Sequence, residues 1–124
     1  MKLHELHETK LVEPFKADSV KDLNMKYISG NFNCVGTGIK SLKGSPMSVE
    51  NFSCDNNELT SLVGGPKFIE SGYSCSHNKL TSLEGAPVTV GSNFVVRGNK
   101  LTSLEGADIS IGLAFLCADN KLTN

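Results

Sequence analysis

Tryptophan is absent from this 124-residue chain, and Phe and Tyr together make up only 6% of it. So few large rings suit a thin, repeated core better than a thick one. No apolar run approaches the roughly 18 residues of a transmembrane helix, so none is expected. The first ten residues mix Lys, His and Glu where a secretory signal needs an apolar stretch. Neither sign of charge is in excess: 12 Lys+Arg stand against 13 Asp+Glu, for a net charge of −1. Because both signs are interspersed, there is no basic footprint for nucleic acid or an anionic membrane, and no acidic surface that would imitate DNA. A cytoplasmic protein is expected.

The usual signatures of chemistry are missing too. The four Cys include no Cys-x-x-Cys pair, which argues against a structural zinc site. His4-Glu5-Leu6-His7-Glu8 spaces its two His three residues apart, whereas a zinc-protease helix needs four. The glycines match neither a phosphate-binding loop nor a dinucleotide fingerprint. No Ser/His/Asp set can be assembled either, because Ser and Asn sit at repeat-determined positions. No catalytic residue, metal ligand or cofactor is assigned, and the chain is read as a non-enzyme.

What the chain has instead is a repeated phrase. Asn-x-Leu-Thr-Ser-Leu-x-Gly occupies 57–64, 78–85 and 99–106, and a fragment of it occupies 120–124. Aligning the units gives an aromatic column of Phe32, Phe52, Tyr73, Phe94 and Phe115. Two residues on stand Cys34, Cys54, Cys75, Val96 and Cys117. Thr37 and then Asn57, Asn78, Asn99 and Asn120 form the next column. Pairs of Leu, a Gly, a Pro (Asp108 in the last unit) and a Val/Ile column complete the unit. A period of about 21 residues is the mark of a solenoid.

Elementary geometry then assigns roles. Phe-x-Cys has period two, so both side chains face one side of a short strand, and that side must be the core. One unit cannot bury this face; stacked units bury it continuously. The Asn column is expected to bond turn backbone and that of the next coil, as an internal ladder. Gly permits a turn, and Pro bars a helix, so the return side is expected to be extended or polyproline-like. The Cys are read as free core thiols acting as small hydrophobes. His77 is read as an exposed turn residue.

Val49-x-x-Phe52-x-Cys54-x-x-Asn57-x-Leu59 resembles the leucine-rich repeat pattern Leu-x-x-Leu-x-Leu-x-x-Asn-x-Leu. The Asn-x-Leu-Thr-Ser-Leu segment is similar to the short repeats of bacterial effectors and of small phage and prophage proteins. It departs from the effector type in carrying Gly where that type has its first Pro. The resemblance covers 28–124 and implies a repeat solenoid: a short leucine-rich-repeat, horseshoe-like parallel sheet with an extended return side. It implies about four full repeats plus a truncated last one, and a binding module with no catalytic residue carried over. Residues 1–27 are read as an N-terminal helix and cap, because a solenoid must shield its first rung. Leu-x-Glu triplets in that segment also resemble a phage head-maturation cleavage signal, which would make it a processed leader.

The residues interleaved with the core should line a concave face. Asn33, Asp55, Ser74, Val95, Arg97, Leu116 and Ala118 are the candidate partner-binding residues on it. The face grades from polar to apolar, with Val95 and Leu116 adjacent and Arg97 beside them, the composition of a binding hot spot. The last strand is apolar on both faces and stops mid-repeat. Leu113, Phe115 and Leu116 are therefore candidates for a self-association edge. The expected function is a non-catalytic protein-binding module of a phage or bacterium that engages a host or defence protein. The alternative is a structural, self-associating protein, a homo-oligomer through its C-terminal edge.

Overall fold

A computed structural model describes residues 30–123. The N-terminal cap or leader expected for 1–27 lies outside the described residues. Among the described residues there is no helix.

The chain coils into a parallel β-solenoid. Strands β1 (Asn31–Asn33), β3 (Asn51–Ser53), β5 (Tyr73–Ser74), β7 (Phe94–Val95) and β9 (Phe115–Leu116) form one five-stranded sheet. Strands β2 (Ser48–Val49), β4 (Phe68–Ile69), β6 (Thr89–Val90) and β8 (Ser110–Ile111) form a second, four-stranded one. Every pairing is parallel and in register: Phe32, Phe52, Tyr73, Phe94 and Phe115 align, as do Val49, Ile69, Val90 and Ile111. The return side is extended, as the Pro column predicts, but it also pairs into a sheet of its own.

The inward columns close the core. Phe32, Phe52, Tyr73 and Phe94 are at most 1% exposed, and their rings stack rung on rung at 4.9–5.2 Å between centroids. Leu42, Leu59, Leu62, Leu80, Leu83 and Leu101 are fully buried opposite them. In the last rung the column opens: Ile111, Phe115 and Cys117 are only partly buried. There the stacking also breaks, with Phe115 meeting Phe94 edge-on at 67°.

The phrase Leu-Thr-Ser-Leu-x-Gly has a local explanation. Ser61 Oγ accepts the Val63 N–H at 3.0 Å, and Ser41, Ser82 and Ser103 do the same two residues ahead. The Gly65 N–H donates to Leu62 O, and Ala86 and Ala107 repeat that bond. Between them Gly64, Gly85 and Gly106 take φ of 87–90°. This is the pattern of a type II turn, whose third residue needs positive φ.

The Asn column is an internal ladder, but it reaches back to the preceding coil. Asn57 Oδ1 accepts the N–H groups of Thr37, Gly38 and Ile39 at 2.7–3.1 Å. Its Nδ2 donates to Cys34 O and Cys54 O. Asn78, Asn99 and Asn120 each accept one N–H of the coil before, from Leu59, Leu80 and Leu101. Each also donates to carbonyls of both coils.

The Cys column divides. Cys34 and Cys54 are disulfide-bonded, with Cα atoms 4.9 Å apart, while Cys75 and Cys117 are free thiols. Free thiols were the expectation throughout the column; in-register parallel pairing instead places successive Cα atoms within disulfide reach. The Tyr73 hydroxyl is the one buried side-chain polar atom without a hydrogen-bond partner among the described residues. Burial pushes that phenol well above its ordinary value, with Cys75 adding to the effect. Burial likewise pushes the Cys75 thiol up to about 12. Every other ring in this stack is Phe. Tyr73→Phe is therefore expected to stabilise the fold by about 1–2 kcal/mol, since it removes an unsatisfied buried hydroxyl and leaves the ring stack intact. An unchanged or lower urea midpoint would contradict this.

Candidate functional site

The outer face of the five-stranded sheet is built from short strands, in which alternation turns the residues on either side of each inward ring outward. Asn33, Ser53, Ser74, Val95 and Leu116 align across it, the first exposed and the others half-buried. Asn33 lies at the end of β1 and folds back, its Oδ1 accepting the Val35 N–H at 3.0 Å. The Asp55 carboxylate accepts both the Ser74 hydroxyl at 2.6 Å and the Ser76 N–H at 2.7 Å. It is thus tied into the sheet. Ser76, which alternation places on this face, is only 6% exposed, its N–H held by the Asp55 carboxylate. Arg97 and Ala118 are exposed beyond the strand ends. Val95 and Leu116 are direct register partners, so the structure brings the two apolar candidates together.

The exit turn explains a further column. Gly36, Asn56, His77, Gly98 and Asp119 all take φ of 56–66°. Gly, Asn, Asp and His are the residues that tolerate the left-handed region best. His77 is exposed there, as expected of a turn residue, and its backbone N–H donates to Arg97 O.

Of the edge candidates, Leu113 is 75% exposed in the corner before β9. Phe115 points inward instead, as the last ring of the stack, and Leu116 faces out beside Val95.

The second sheet carries a face that the sequence reading missed. Met47, Phe68 and Val88 are about half exposed, at 54, 47 and 49%. Phe68 is in register with Ser48 and Thr89, and a shallow depression of about 210 Å³ opens beside it. The signal was present: an aromatic next to a buried Ile, outside the aromatic column. A return side read as turns offered no face to place it on.

Among the described residues no three His, Cys, Asp or Glu side chains come together in a way that could hold a metal ion. Among them also, no helix is long and apolar enough to cross a membrane. The first sheet carries an open depression of about 240 Å³ beside Gly72.

No protein-family model matches the chain, and neither a curated protein nor a solved structure matches it.

Proposed function

We propose that this protein is a non-catalytic protein-binding module of the leucine-rich-repeat type, made by a phage or bacterium and acting in the bacterial cytoplasm on a host or defence protein. The observation that carries the reading is the face of the five-stranded sheet. It is a rigid surface held by in-register pairing, with a polar half of Asn33, Asp55 and Ser74 and an apolar pair, Val95 and Leu116, in contact across β7 and β9. Arg97 and Ala118 extend that pair at its exposed margin. A half-buried apolar pair flanked by an Arg and rimmed by polar groups is the composition of an interface centre.

The test is capture from a lysate of the bacterial host, with wild type, Val95→Arg and Leu116→Arg run in parallel. Both variants should remain folded by circular dichroism and lose a stoichiometric partner, with an affinity loss of roughly 30-fold or more, as expected when a hot-spot contact worth about 2 kcal/mol is removed. A partner retained by both variants would refute this face as the binding surface.

The second reading, self-association through β9, rests on one specific observation: the core columns are at most 3% exposed from Phe32 to Leu101 but partly open at Ile111 and Phe115, with Leu113 largely exposed. Light scattering on the same samples separates the readings. A wild-type dimer that dissociates on Leu113 or Leu116 substitution, with no captured partner, favours the second.

A further inference from the structure

The geometry points to a receptor notch for a single side-chain carboxamide, that of Asn or Gln in a protein segment laid across the five-stranded sheet; this rests on the binding-module reading above. The residue just before each inward ring forms its own column: Asn31 and Asn51 open β1 and β3, and Gly72, Asn93 and Ala114 immediately precede β5, β7 and β9. Asn51 Nδ2 donates to Asn31 Oδ1 at 2.9 Å, so the column begins as a carboxamide ladder. It breaks at Gly72. Asn51 Oδ1, with no Asn beyond it, accepts the Gly72 N–H at 2.9 Å, which uses one of its two lone pairs. Asn93 stands on the far wall of the resulting notch, and Ser92 beside it.

The gap admits the first carbon of a side chain and opens to the surface depression beside it. A Cβ placed on Gly72 would lie 3.4 Å from Asn51 Oδ1 and 3.6 Å from Ser92 Oγ, which is ordinary contact. Gly72 is not among the glycines with positive φ, so its backbone does not require glycine. Here the glycine makes space, whereas Gly85 makes a turn. A guest carboxamide entering the gap finds an acceptor in Asn51 Oδ1 and donors in the Asn93 amide and the Ser92 hydroxyl. It would restore the interrupted ladder with a group from another chain. A carboxylate would meet Asn51 Oδ1 without a proton to share, and an aliphatic side chain would leave these polar groups unpaired. The neighbouring Val95 and Leu116 would then hold an apolar residue further along the same segment.

The experiment uses a phage-displayed library of random linear peptides selected on the full-length wild-type protein. Winning peptides are then measured against wild type, Gly72→Asn, Gly72→Ala and Leu116→Arg. Gly72→Asn completes the ladder with the column's own residue, so it should fold as wild type does. Gly72→Ala is the smaller filling, in case Asn disturbs the strand. The expected result is enrichment of Asn or Gln at one peptide position. Replacing that residue by Leu, or filling the notch at Gly72, should then weaken binding roughly 30-fold, as the loss of two hydrogen bonds of about 1 kcal/mol each implies. Peptides that bind the Gly72 variants as tightly as wild type but are lost on Leu116→Arg would overturn the notch and leave the sheet-face reading standing. Peptides indifferent to all three substitutions, or a library that yields none, would overturn both. N-acetylglucosamine that binds with the same Gly72 dependence and displaces the peptides would overturn the protein source of the carboxamide.

Discussion

Asn57→Ala is expected to remove about 3–5 kcal/mol of stability, a large share of a domain total of the order of 5–15 kcal/mol. The side chain is 7% exposed and bonds to two coils at once. Its carbonyl partners would survive the change: Cys34 O still accepts from Thr37 Oγ1, and Cys54 O from Asn78 Nδ2. The backbone donors would not. Thr37 and Ile39 are buried, and their N–H groups point at Asn57 Oδ1. Each orphaned buried donor costs about 1–3 kcal/mol. Asn120→Ala is the control. Asn120 accepts a single N–H, from Leu101, in a half-buried rung that water can reach, so its loss should cost about 1 kcal/mol. Urea denaturation followed by circular dichroism measures both. Equal losses at the two positions would show that the ladder does not act through buried donors.

The second large effect is expected at Gly85. Gly85→Ala should destabilise by at least about 3 kcal/mol, and Gly106→Ala by only about 1–2 kcal/mol. Both glycines take φ near +90°, so both substitutions incur the same backbone strain. They differ in what a new methyl would meet. At Gly85 it would fall on the Leu62–Val63 peptide of the preceding coil, and backbone cannot swing aside. At Gly106 the nearest atom, Leu83 C, is 3.9 Å away. The difference between the two unfolding midpoints therefore isolates close coil-to-coil approach from conformational strain. A Gly85→Ala variant no worse than Gly106→Ala would mean that the coils can separate at that corner at little cost.

These two positions also show how far the residues alone could be read. The inward columns were legible because period two in Phe-x-Cys and the Leu-x-x-Leu spacing each admit one burial pattern. The Gly column was legible as a turn, and the structure adds its φ. The Asn column was legible as a ladder but not in direction, since a side chain at a strand exit can reach either neighbouring coil. The second sheet was not legible. Its strands are two residues long, with one inward Val or Ile each, and two residues establish no alternation. The Cys34–Cys54 bond was equally hidden, because three successive coils carry the same Cys and spacing does not distinguish a pair from a stack. On the outer face, identities were readable but the relief was not: the hollow at Gly72 exists only because its neighbours in register are Asn51 and Asn93.

The Cys34–Cys54 bond has a further consequence, for how the molecule comes apart. Each strand of the five-stranded sheet pairs only with the strands beside it, so the coils can part between any two neighbours, but a covalent bond holds the coils of β1 and β3 together. Backbone amides between those two coils are therefore expected to yield to solvent later than those between β5 and β7, and reduction of the disulfide should remove the difference.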